Sequence, residues 1–98
     1  MPPPVRHVVN LLVDHCRQQR SRLILFGSRA HGKTGLGADW DFGIESARPT
    51  EYGTWVTLKR QCEDASFPHR VDLVDLTCAP AWLTESIGED YVVLYDPS

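Results

Sequence analysis

Two aspartates two residues apart, Asp39 and Asp41, follow a Gly27-Ser28 pair with ten residues between. On a strand, residues two apart share a face, so both carboxylates would project together. Paired carboxylates suit Mg²⁺, which prefers oxygen ligands and usually takes only one or two carboxylates from a protein. Gly27 lets the backbone approach a ligand closely, and Ser28 offers a hydroxyl and an amide to phosphate oxygens. Phosphates beside bound divalent cations are what phosphoryl and nucleotidyl transfer require. There the protein's task is to hold the metal, align the phosphates with the nucleophile and stabilise the moving charge.

A third carboxylate would complete such a metal site. Asp72 and Asp75 are the candidates, both within Val71-Asp72-Leu73-Val74-Asp75-Leu76. Three apart on a strand, they point to opposite faces, so at most one joins the cluster. Gly43, next on the acidic face after Asp41, is expected to leave room for a ligand. Arg29, His31 and Lys33 lie in the glycine-rich stretch after Ser28, where phosphates would sit, which makes Arg29 and Lys33 candidate nucleotide contacts.

The surrounding elements follow from apolar spacing. Val5, Val8, Val9, Leu12, Val13 and Cys16 recur at helical period, which predicts an amphipathic helix entered from a proline run. Leu23 to Phe26 is wholly apolar and reads as a buried central strand. Gly27 to Ala38 reads as a loop. From Asp39 to Glu45 the chain alternates, with Trp40, Phe42 and Ile44 pointing one way and Asp39, Asp41, Gly43 and Glu45 the other. Pro49-Thr50-Glu51 predicts a helix start, with Tyr52, Trp55, Val56 and Cys62 as its inner face. Val71 to Leu76 is a third strand, Pro80 to Ile87 a short helix ended by Gly88, and Tyr91 to Tyr95 a last strand. The expected fold is one α/β domain over residues 1–98, a small mixed sheet with helices mainly on one face.

Composition sets bounds. The chain has 98 residues and a net charge of −3, against the basic face of a stand-alone nucleic-acid binder, so strong binding to DNA or RNA is not expected. No segment is long and apolar enough to span a bilayer. Cys16, Cys62 and Cys78 are odd in number and widely spaced, which argues against a disulfide framework or zinc site. Met1-Pro2-Pro3-Pro4 lacks a signal peptide's basic and apolar regions, so cytoplasm is the expected location. Arg17, Arg20 and Arg22 read as a solvated helix end. Tyr52, Trp82 and Tyr91 are candidate partner contacts, with core packing the slightly favoured reading for each.

Leu25-Phe26-Gly27-Ser28-Arg29-Ala30-His31-Gly32, Asp39-Trp40-Asp41-Phe42 and Val71-Asp72-Leu73-Val74 together resemble the minimal nucleotidyltransferases of the DNA polymerase β-like superfamily. These are the antitoxin partners of HEPN-domain toxins. Glu85-Ser86-Ile87-Gly88 and Val93-Leu94-Tyr95-Asp96 look like that family's usual ending. The resemblance implies the nucleotidyltransferase fold and transfer of AMP from ATP to a tyrosine of the cognate HEPN ribonuclease, which silences it. It implies that Gly27 and Ser28 hold the phosphates and that Asp39 and Asp41 bind two Mg²⁺ ions. It also selects Asp72 over Asp75, to bind the catalytic metal and help activate the acceptor hydroxyl. Ala38 and His31 depart from the family's common Ser and Arg. Such small members lack a second domain over the cleft, so an open cleft completed by the partner protein is implied. The alternatives are the same chemistry on a small molecule or RNA end, and a non-enzymatic antitoxin acting by binding alone.

Overall fold

The fold is built on α1, Pro3–Gln19, whose first turn accommodates prolines because its backbone N–H groups have no intrahelical acceptor. This computed structural model describes residues 1–27 and 39–98. Val5, Val8, Leu12 and Cys16 form the buried stripe of α1, spaced three and four apart. The helix ends at Arg20, which takes a left-handed φ of 53°, and Ser21 N–H donates to Cys16 O at 2.9 Å. The next residue, Arg22, begins β1, Arg22–Phe26.

β1 lies inside the sheet, between β2, Trp40–Glu45, and β4, Val92–Tyr95. β3, Val71–Asp75, lies outside β2, giving the order β3-β2-β1-β4. β1 runs antiparallel to both of its neighbours, while β2 and β3 are parallel. The crossover between β2 and β3 is α2, Tyr52–Ser66, as a parallel connection requires. A 3-10 turn, Leu76–Cys78, follows β3 and leads to α3, Ala81–Ile87. The expected mixed sheet is therefore present, and α1 and α2 pack together on one of its faces.

The core lies between that face and those helices. Leu23 and Leu25 of β1, Trp40, Phe42 and Ile44 of β2, and Leu73 of β3 meet the α1 stripe and Leu58 and Cys62 of α2. Phe42 is fully buried at the centre, and replacing it with Ala would cost ~3–5 kcal/mol. Burial raises the Cys16 thiol to about 12 and, as the leading cause, the Cys62 thiol to about 11. Both therefore stay protonated and inert at neutral pH, packing as small apolar groups.

The structure corrects the expected inner face of α2. Tyr52 is 75% exposed, and Val56 also faces out. The buried positions are Leu58, Cys62 and Ser66, with Trp55 partly packed against the core. Leu58, three residues on from Trp55 and four before Cys62, defines the real stripe. The helix is capped by Glu51, whose carboxylate accepts from Gly53 N and Thr54 N at 3.0 and 3.1 Å. Two strands are shorter than expected: β3 stops at Asp75, and β4 starts at Val92.

Arg17, in the last turn of α1, and Arg22, after it, also do more than solvate a helix end. Arg17 pairs with Asp14 at 3.6 Å and lies over the Tyr95 ring. Arg22 pairs with Glu45 at 3.3 Å and covers the ring of half-buried Tyr91. Trp82 is 69% exposed, so of the three candidate partner aromatics Tyr52 and Trp82 face solvent.

His15 makes the fold pH-sensitive. Its Nε2 is buried without a hydrogen-bond partner among the described residues, and burial lowers its pKa below 6.5, partly offset by Asp75. The unfolded chain therefore binds this proton more readily than the folded one, so stability falls as pH drops below the ordinary histidine value. His15→Gln should flatten this part of the curve. The check is urea unfolding of both proteins at a series of pH values from neutral to mildly acidic.

Candidate active site

The face of the sheet opposite α1 and α2 carries the acidic residues, and register decides which ones. Asp41 is the partner of Asp72 across the parallel β2–β3 pair, and the partner of Phe26 across β2–β1. Side chains of paired residues share a face, so Asp41 and Asp72 stand side by side. Asp39 immediately precedes β2, and one of its oxygens, Oδ1, is buried with no hydrogen-bond partner among the described residues. The start of the parallel pair is pinned by Trp40 N–H, which donates to Arg70 O at 3.0 Å.

Asp75 pairs with Ile44 and so lies on the helix-covered face. Its carboxylate accepts from Thr50 N at 3.2 Å and Thr77 N at 3.0 Å. It thereby ties the segment after β2 to the turn after β3. This is a structural role that sequence spacing alone did not reveal.

Gly27 sits at the end of β1 with φ of +75°, a conformation in which glycine is favoured. A Cβ there would run into Oδ2 of Asp41. The glycine thus lets the Asp41 carboxylate lie directly against the chain where β1 ends. Ser28, Arg29, His31, Lys33 and Ala38 lie outside the described residues.

Gly43 is a correction. Its missing side chain does not leave room for a ligand, because a Cβ there would lie 2.5 Å from Leu76 Cδ1 and 3.2 Å from Ile24 Cγ1. Leu76 fills the space, packing against the sheet on the same face as the acidic residues. The expectation failed because Leu76 was assigned to a strand, whereas it begins a 3-10 turn that folds back over the sheet.

The electrostatics are those of gathered like charges. Burial, then Asp72, then Asp39 push the Asp41 carboxyl above its ordinary range. Among the described residues, no group of three or more His, Cys, Asp or Glu side chains is disposed to hold a metal ion. A closed cage is not what Mg²⁺ needs, since it is usually held by one or two carboxylates plus water and substrate phosphates. Asp39, Asp41 and Asp72 are not such a cage, but their chemistry suits Mg²⁺: they supply only oxygen, Asp39 Oδ1 is buried without a donor among the described residues, and a cation would relieve the repulsion acting on Asp41.

Two cavities flank these residues. One, of about 370 Å³, is bounded by Asp39 and Asp72 together with Glu63, His69 and Arg70. The other, of about 210 Å³, lies beside Phe26 and Gly27 under Leu83 and Ile87 of α3. A larger cavity of about 670 Å³ lies between α1 and α2 beside Asp14, His15 and Glu51, and no residue of the acidic face lines it.

Residues 13–98 match the family Polymerase beta, Nucleotidyltransferase. The chain belongs to this nucleotidyltransferase family. A relative from Haemophilus influenzae, named a probable protein adenylyltransferase MntA, is 34% identical over 71 residues. That match takes in 72% of this chain and 62% of the relative's length. A crystal structure of a toxin–antitoxin with AMP-PNP superposes with a TM-score of 0.71 at 23% identity, over 90% of this chain and 73% of that one. A tri-AMPylated Shewanella oneidensis HEPN toxin in complex with MNT antitoxin gives a TM-score of 0.66 at 21% identity, over 93% and 71%. At these identities the structural likeness establishes a shared fold. The nucleotidyltransferase family and the mixed sheet expected from sequence are thus both observed.

Two substitutions test this geometry. Gly27→Ala should cost ~1–2 kcal/mol of stability from its left-handed backbone and displace the Asp41 carboxylate. Nucleotide affinity should fall with it, and isothermal titration calorimetry with a non-hydrolysable ATP analogue provides the measure. Asp41→Asn should raise the melting temperature in metal-free buffer, because it removes a half-buried charge repelled by Asp72 and Asp39. Added Mg²⁺ should stabilise the wild type more than this variant. Thermal unfolding with and without Mg²⁺ checks both effects.

Proposed function

We propose that this chain is a Mg²⁺-dependent protein adenylyltransferase. It transfers AMP from ATP to a tyrosine of a cognate HEPN ribonuclease and silences it, acting as an antitoxin. The observation that carries this reading is the register that sets Asp41 beside Asp72 with Gly27 on the other flank, in a chain 34% identical to a probable protein adenylyltransferase. The same reading places the protein in the cytoplasm. Its net charge of −3 disfavours an RNA acceptor.

The chemistry follows from the residues. Asp39, Asp41 and Asp72 would hold Mg²⁺, which supplies Lewis-acid neutralisation of the phosphate charge. Gly27 allows the nucleotide's phosphates to approach the backbone beside Asp41, and Ser28, Arg29 and Lys33 are their proposed further contacts. The acceptor oxygen forms a bond to the α-phosphorus as the bond from that phosphorus to the bridging oxygen of the β-phosphate breaks. Pyrophosphate leaves with the bonding electron pair. The acceptor's hydroxyl proton passes to an Asp72 carboxylate oxygen, which is exposed on the open face.

Incubation with ATP, Mg²⁺ and a cognate HEPN protein should add one or more adenylyl groups to that protein, read by intact mass. Asp39→Ala and Asp41→Ala should each lower transfer by ~10²–10³-fold or more while leaving the fold intact. Ser28→Ala should cost less, because a neutral hydrogen bond to phosphate contributes less than a metal ligand. Unmodified HEPN protein alongside a labelled RNA end or small molecule would replace this reading with the other acceptor class.

A further inference from the structure

Resting on the proposed nucleotidyl transfer, the sheet order tells from which side the acceptor arrives. Gly27 and Asp72 flank Asp41 on opposite sides, one on β1 and one on β3. In-line displacement places the attacking and leaving oxygens on opposite sides of the phosphorus. If the phosphates lie against Gly27, the acceptor must come in over Asp72. On that side the structure has the cavity of about 370 Å³, and its far wall is the segment between α2 and β3.

That wall is a defined piece of chain. His69 N–H donates to Ser66 O at 2.7 Å, closing a turn. Arg70 is held at the backbone by its carbonyl's bond from Trp40 N–H. Its guanidinium makes no ion pair among the described residues, where the arginine ion pairs join Arg17 to Asp14 and Arg22 to Glu45. In the same segment, Phe67 is 80% exposed, the most exposed large apolar side chain among the described residues. A cation rich in hydrogen-bond donors that lines an open cavity, and an uncovered aromatic ring three residues before it, are the residue types that anchor a protein segment.

We propose that the segment Phe67–Arg70 is the acceptor-docking edge of the active site. Arg70 is a positioning residue there: its donors hold the backbone or polar side chains of a tyrosine-bearing segment so that the phenol reaches Asp72. Phe67 supplies the apolar contact that seats this segment. The nucleotide binds on the other flank, so this edge sets affinity for the acceptor and leaves affinity for ATP alone.

The test is steady-state transfer with the acceptor protein and ATP varied separately, for wild type, Arg70→Glu, Arg70→Lys and Arg6→Glu. Arg6 is an exposed position on α1 that makes the same charge change elsewhere. Arg70→Glu should raise KM for the acceptor protein at least tenfold with KM for ATP within twofold of wild type. Arg70→Lys should recover part of the loss, and Arg6→Glu should match wild type. A photo-crosslinking amino acid at position 67 should join the purified acceptor at the peptide that bears the modified tyrosine. An unchanged acceptor KM in Arg70→Glu, an equal rise in KM for ATP, or a crosslink to a peptide remote from the modified tyrosine would each overturn the assignment. Wild-type transfer to a non-protein acceptor would instead remove the reading on which the assignment rests, and the assignment with it.

Discussion

The parallel pairing of β2 with β3 is the constraint on which the rest of the molecule depends. Because side chains alternate, one register fixes two faces at once. Phe42 opposite Leu73 sets the core, and Asp41 opposite Asp72 sets the acidic face. A slip by one residue would bury the carboxylates and expose Phe42. The apolar energy of the core therefore enforces the position of groups that contribute nothing to it. α2 makes this pairing possible by returning the chain in the same direction, and the Trp40–Arg70 backbone bond marks where it starts.

This arrangement holds an unfavourable cluster in place with a favourable one. Asp41 is partly buried and repelled by two neighbours of the same sign. Left to itself, such a group lowers stability. A buried Phe or Leu contributes ~1.5–3 kcal/mol on folding, so a core of this kind can tolerate the strain. The apolar core thus holds the sheet together against the repulsion acting on Asp41. Sites of this kind sit where local preference and global fold disagree, which is where function concentrates.

Sequence reasoning read best where period alone decides. β1 appears as Leu23 to Phe26 because a strand covered on both faces is apolar throughout. Trp40, Phe42 and Ile44 were clear because the intervening residues are polar or absent. The α1 stripe was equally plain. The α2 face was not, since a short helix with Tyr52, Trp55 and Val56 near its start offers two apolar stripes, and only packing selects the one through Leu58. The side of Asp72 was open on alternation alone, because Asp72 and Asp75 each share a face with apolar residues. Family likeness pointed to Asp72, and the register places it beside Asp41. The tethering bonds of Asp75 were invisible because Thr50 and Thr77 are far apart in the chain. Gly43 misled because a missing side chain looks the same in sequence whether solvent, ligand or another side chain occupies the space.

That last feature has a bearing on how the site could change over evolutionary or laboratory time. Leu76 over Gly43 is a plug on the same face of the sheet as the carboxylates. Shortening it would open space beside them without moving a carboxylate, whereas enlarging Gly43 would collide with the plug and with Ile24. Volume on this face is therefore adjustable from the turn after β3 and closed to adjustment from β2. Such a molecule can reshape its acidic face by a single change at a position that carries no charge.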